Sequence, residues 1–181
     1  ALFELPALVQ GRKPNKKHRV AAMTTTGGGA ACVVDRIGTY GVDVVGPTDA
    51  LVATLAAKNI SINKSRITDL TLAGAKKEIY GGGLNALLAS DHCDLVLAVA
   101  GSSAQFQPQI AVEPLLEADR GNKALAVFLA PHAEASLKLL ANAGVAGFRT
   151  PESCADSIRA WREWTAPAQI PAPDVPRTTA A

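Results

Sequence analysis

The sequence predicts a doubly wound α/β domain, a parallel sheet with helices on both faces. Three observations carry this reading. Short apolar runs alternate with segments of helical periodicity from Arg19 to Trp164. The clearest runs, DLVLAVA at 94–100 and ALAVFL at 124–129, are apolar on successive residues, as strands covered on both faces are. Apolar residues make up 48% of the chain but aromatic ones only 4%, so Ala, Val and Leu must fill the core, which suits closely packed helix-on-sheet layers.

Each element follows in order. Leu2, Phe3, Leu5 and Leu8 give the first ten residues an apolar side, expected to pack on the domain as helix or loop. Residues 11–17 are basic and contain Pro14, so 1–18 are expected to form a linker from a preceding domain, with the domain itself at 19–164. RVAAMTT at 19–25 reads as a buried strand, followed directly by Thr26-Gly27-Gly28-Gly29. Ala30, Val33, Val34, Ile37 and Gly41 then fall on one helix face. Residues 42–45 form a second strand, and Pro47-Thr48-Asp49 starts a helix with Leu51, Val52 and Leu55 toward the core. Residues 58–73 show no sustained period and are expected to be a loop.

The second half repeats the alternation. Residues 75–90 look helical at their end, through Leu84, Leu87 and Leu88. Gly81-Gly82-Gly83 costs roughly 1 kcal/mol per residue in a helix interior, so a bend or a fresh start is expected there; a second phosphate loop is the lesser alternative, since no strand precedes these glycines. After the 94–100 strand come Gly101-Ser102-Ser103 and a helix from Pro108, which Pro114 is expected to break at a cost of about 3 kcal/mol. The 124–129 strand is followed by a helix over 133–142 closed by Gly144, a short strand at 145–149, and a helix opened by Thr150-Pro151. Cys154, Ile158 and Trp161 form its apolar stripe. Residues 165–181 are Ala, Pro and Thr with little else, and read as a linker or tail.

Composition narrows the partners. Eighteen basic against sixteen acidic residues leave a formal charge of +2, with the signs interspersed after the first twenty residues. The run Lys13, Lys16, Lys17, Arg19 is short and lacks aromatic interleaving, so no nucleic-acid partner is expected. No apolar stretch is long enough to span a bilayer, and no leader is visible. Cys32, Cys93 and Cys154 are odd in number and far apart, which predicts no metal site and reduced core thiols in a cytoplasmic protein.

The strongest local pattern is strand, Thr-Gly-Gly-Gly, helix. Glycines allow a sharp turn and close approach of a ligand, and the helix start offers unpaired N–H groups and the positive end of its dipole. Thr24, Thr25 and Thr26 add hydroxyls. A phosphate or carboxylate suits such a site. Two familiar nucleotide loops are excluded. Ala30-Ala31 replaces the Lys-Ser/Thr of a Walker loop, and Cys32 stands where the dinucleotide fingerprint needs its third glycine. In a doubly wound sheet the loops at the carboxyl ends of strands bind ligands. Thr26–Gly29, Gly101–Ser103 and Ala130–His132 are expected at that edge. His18 lies in the basic linker and His92 at a helix-to-strand turn. No catalytic side-chain triad or carboxylate pair can be assembled from spacing.

The order of motifs resembles one family. RVAAMTTTGGGAACVVD at 19–35 resembles the opening of a domain in nucleoside-diphosphate-forming acyl-CoA synthetases, such as succinyl-CoA synthetase and ADP-forming acetyl-CoA synthetase. Asp69-Leu70 is similar to the end of the family's Asn-Pro-Val-Asp-Leu stretch, although Arg66-Ile67-Thr68 precede it here. Residues 84–99 resemble its helix, acidic turn and apolar strand, and 123–129 its Lys-Pro-Val strand. GVAGFRTPESCADSIRA at 144–160 resembles its closing Gly-Ile-Pro…Pro-Glu segment.

The resemblance implies a flavodoxin-like, three-layer α/β/α ligase domain. It implies that backbone N–H groups of Thr26, Gly27, Gly28, Gly29 and Ala30 hold a phosphohistidine or phosphate while an acid, CoA and a nucleoside triphosphate become acyl-CoA, nucleoside diphosphate and phosphate. It puts Asp69, Gly101, Ser102, Ser103 and His132 at a substrate or CoA edge. CoA and phosphate are the implied ligands, with ATP and Mg in partner domains. CoA-binding and nucleotide-grasp domains or subunits are the implied partners, since no Gly-His-Ala-Gly phosphohistidine motif occurs and the chain alone should not be a complete enzyme. The alternative is a non-catalytic, degenerate ligase-like domain used for protein assembly or small-anion binding.

Overall fold

A computed structural model describes residues 2–12, 18–62, 64–71, 74 and 76–165. The expectations for the basic run at 13–17 and the tail from 166 fall outside them.

Six parallel strands form one sheet. They are β1 (Arg19–Thr24), β2 (Asp43–Val45), β3 (Ile67–Asp69), β4 (Leu95–Ala100), β5 (Ala124–Leu129) and β6 (Ala146–Phe148). The order is β2-β1-β4-β5-β6, and β3 also pairs β1. β2 runs beside Arg19–Ala21 and β3 beside Ala22–Thr24, so the two short strands share one edge of β1 end to end. The architecture is the flavodoxin-like three-layer sandwich.

Side chains of the central strands alternate between two cores. Met23, Val96, Ala98, Leu125 and Val127 face α3 (Asp49–Ala56), α4 (Lys77–Ala89), α6 (Pro108–Leu116) and α7 (Glu134–Asn142). Val20, Ala22, Leu97, Val99 and Phe128 face α1 (Leu5–Val9), α2 (Gly27–Gly38) and α8 (Pro151–Glu163). Both faces are covered, which is why these strands are continuously apolar. A one-turn α5 (Ser103–Phe106) precedes α6. Leu8 of α1 is fully buried in the second core, so the start of the chain packs on the domain.

Charged groups close the amino end of the sheet. Arg19 Nε meets Asp94 Oδ2 at 3.1 Å. The Lys123 ammonium bonds the carbonyls of Leu87 (3.1 Å) and Ser90, covering the last turn of α4. Arg12 Nη1 donates to Leu8 O at 3.0 Å, and Arg12 Nε to Lys123 O at 3.3 Å, which ties α1 to the same end.

Five expectations change. Residues 67–69 form β3 within the stretch read as irregular. The glycine triplet neither bends nor restarts α4 and makes no phosphate loop, because it lies mid-helix. There the missing side chains admit neighbours: a Cβ at Gly83 would stand 3.2 Å from Met23 Sδ and one at Gly81 3.6 Å from Pro114. Pro114 does not break α6, since it sits in the last turn, and the carbonyl it leaves without a donor belongs to Ile110, an exposed residue. Gly41 lies beyond α2, at φ +66°. Cys32 is exposed on α2, whereas Cys93 and Cys154 are buried; all three are free.

Candidate functional site

Thr24 shapes the turn at the end of β1. Its buried hydroxyl accepts the Thr26 N–H at 2.8 Å and shares its own proton between the carbonyls of Thr26 (3.0 Å) and Val99 (3.2 Å). This small ring stops the strand and sets Thr26 extended, at φ −141° and ψ 96°, as the residue before α2. Gly29 lets α2 leave this close to the neighbouring loop. A Cβ there would lie 2.8 Å from Ala130 Cβ and 3.1 Å from Thr26 Cγ2.

The turn leaves backbone donors open. The Ala30 N–H bonds Thr26 O at 3.1 Å, closing the first helical turn. Thr26 makes no side-chain cap, and the amides of Gly27, Gly28 and Gly29 have no acceptor among the described residues. Gly27 and Gly28 are exposed and Gly29 is half-buried. The other two helices with a threonine at this position are capped: Thr48 Oγ1 accepts from Leu51 N and Thr150 Oγ1 from Ser153 N, each at 3.1 Å.

Strand order reverses between β1 and β4, which sends α2 to one face and α5 to the other. The three loops read from sequence meet at this carboxyl edge. A Cβ on Gly101 would lie 3.3 Å from Thr26 Cβ, and Ala130 N bonds Ala100 O at 2.9 Å. A cavity of about 280 Å³ opens there, and its wall includes Thr25, Thr26, Gly101, Ser102 and Ser103.

Asp69 and His132 stand outside that wall. Asp69 Oδ1 accepts the Thr71 N–H at 2.8 Å, and its Oδ2 would lie 3.1 Å from a Cβ on Gly27, so a carboxylate borders the open amides. His132 is exposed beyond β5, with Nε2 3.2 Å from Glu134 Oε2; Glu134 also pairs with Arg149 at 3.1 Å. His92 sits at the opposite end, with Nε2 3.1 Å from Gly46 O, and His18 places its ring edge-on to Trp161.

Among the cavity residues not anticipated are Lys77 and Tyr80 on α4. Lys77 Nζ lies 2.9 Å from both Glu113 and Glu117, and these bonds hold its pKa above the usual lysine range. Tyr80 is buried and its hydroxyl has no partner among the described residues; burial pushes its pKa up. The glycines at 81–83 hid the periodicity that would have placed both residues on one helix.

No protein-family profile matches the sequence, and no curated protein resembles it in sequence. Solved structures do resemble it. PH0766 from Pyrococcus horikoshii OT3 superposes with a TM-score of 0.75 at 18% identity, over 90% of this chain and 40% of that one. The likeness is one of fold. The dinucleotide forming acetyl-coenzyme A synthetase 1 of Ca. Korarchaeum cryptofilum superposes in its apo form at 0.72, with 18% identity over 88% of this chain and 36% of that one. The same enzyme in complex with phosphate and ADP gives 0.69 at 19% identity, over 88% and 35%. The chain therefore spans well under half the length of these proteins.

Proposed function

We propose that this chain is the flavodoxin-like ligase domain of a nucleoside-diphosphate-forming acyl-CoA synthetase, and that the amides of Gly27, Gly28 and Gly29 hold the phosphoryl group passing between a partner's phosphohistidine and an acid. One observation carries the reading: three adjacent N–H groups without acceptors start a twelve-residue helix at the carboxyl end of β1, beside the reversal in strand order. Fixed backbone donors and a helix dipole favour a phosphate dianion without reorganising. The fold shared with an acetyl-coenzyme A synthetase that binds phosphate and ADP supports it.

In this reading the domain positions and stabilises, and supplies no nucleophile of its own. CoA, ATP and Mg are handled with CoA-binding and nucleotide-grasp domains or subunits in the cytoplasm. Thr26 and Ala30 contribute through the turn, since their own amides already have acceptors. Gly101, Ser102 and Ser103 border the acid.

The test is an inorganic phosphate titration of the ¹⁵N-labelled chain. Millimolar phosphate should shift the amide resonances of Gly27, Gly28 and Gly29 selectively. Unchanged resonances at these glycines would overturn the reading. They would instead favour an assembly module, a reading that the Asp69 carboxylate beside Gly27 also supports by opposing an anion there.

A further inference from the structure

Tyr80 gives the cavity a chemical preference. The buried hydroxyl of Tyr80 has no partner among the described residues, and Tyr80 belongs to the cavity wall. Its side chain is about 95% buried, since the residue is 5% exposed. A buried hydroxyl left unpaired is unfavourable, and a ligand oxygen that accepts its proton relieves that cost.

The surrounding charges limit what that oxygen can be. Lys77 is the cation of the same wall, and its ammonium already joins two glutamates, Glu113 and Glu117. This neighbourhood carries one positive group for two negative ones. A carboxylate brought to it would add to the excess, whereas a neutral hydroxyl or keto oxygen would not. Ala111, Pro114 and Ile110 line the same wall and accommodate carbon. The volume, about 280 Å³, accommodates an acid of a few carbons.

Resting on the proposed ligase reading, we infer that the cavity receives the tail of a short monocarboxylic acid bearing a neutral hydroxyl or keto oxygen, and that Tyr80 donates its O–H to that oxygen. The carboxyl end of the acid lies toward Thr25 and Thr26, next to the phosphoryl site. Tyr80 thus selects the acid by hydrogen bonding, with no part in bond making.

Calorimetric titration of the 181-residue chain with butyrate, 3-hydroxybutyrate, acetoacetate and succinate tests this. 3-Hydroxybutyrate or acetoacetate should bind at least about tenfold more tightly than butyrate and succinate, the discrimination expected when an analogue leaves a buried polar group unpaired. Tyr80→Phe should equalise the oxygenated acids with butyrate and leave the phosphate response at Gly27–Gly29 intact. A purely structural tyrosine would not move this selectivity. Equal binding of all four acids, preference for butyrate or succinate, no binding of any, or discrimination that survives in Tyr80→Phe would each overturn the inference. If phosphate still shifts the three glycines, only this inference fails; if it does not, the ligase reading fails with it.

Discussion

Asp69 is the charged residue that borders the open amides. Its carboxylate borders Gly27, where it opposes any anion, yet its other oxygen holds the Thr71 N–H. Asp69→Asn keeps an acceptor for Thr71 and removes the charge. Phosphate should then bind several-fold more tightly, by roughly 1 kcal/mol at low salt, and the gain should shrink as salt rises. The same phosphate titration reads it. Unchanged or weaker binding with the fold intact would place the phosphate elsewhere. The residue scale was only partly legible. Gly27–Gly29 could be read because the chemistry lies in the backbone and glycine marks it. Tyr80 and Lys77 could not, since their meaning depends on α6 bringing Glu113, Glu117 and Pro114 across from a distant part of the chain.

Among the elements, helix starts differ in how they are fastened. Thr150 caps α8 through a 3.1 Å bond, while Thr26 stands at the same place before α2 and caps nothing. Thr150→Ala should therefore lower stability by about 1 kcal/mol, and Thr26→Ala by clearly less. Urea unfolding of the two variants checks this; equal losses would mean that Thr26 secures the helix after all. The long buried strands β4 and β5 were legible because every residue is apolar. β3 was not, because a three-residue strand cannot establish a period and owes its existence to the free edge of β1 left beyond β2. The uninterrupted α4 and α6 overturned propensity for a tertiary reason. Gly83 sits against Met23, and Gly81 against Pro114 at 3.6 Å, so packing decides where local preference would break the chain.

For the whole molecule, four groups in and beside the cores resist losing a proton. Burial raises the pKa of Cys154, Cys93 and Tyr80, and the Glu113 and Glu117 bonds raise that of Lys77. Each group keeps its proton to higher pH when folded than when unfolded. The unfolded chain therefore releases protons first, and stability is full below the unfolded values and falls as pH climbs past them. The decline should begin near the thiol range, about pH 8.5, and steepen past about pH 10 as tyrosine and lysine join. Melting temperature measured across this interval should fall steadily, and Cys154→Ala should flatten the first part of the fall. A melting temperature that is flat to alkaline pH would contradict these burials.

The sandwich also has a direction. At the amino end of the sheet, Arg12, Arg19 and Lys123 reach out to carbonyls and to Asp94, so peptide oxygens there are matched by cations from the chain itself. At the carboxyl end, the peptide nitrogens of Gly27, Gly28 and Gly29 have no acceptor among the described residues. Damage at the first pole should register in melting curves, and damage at the second in ligand response with the melt preserved. A survey scoring both quantities for every position would thus sort the chain along the strand axis, whatever the ligand proves to be.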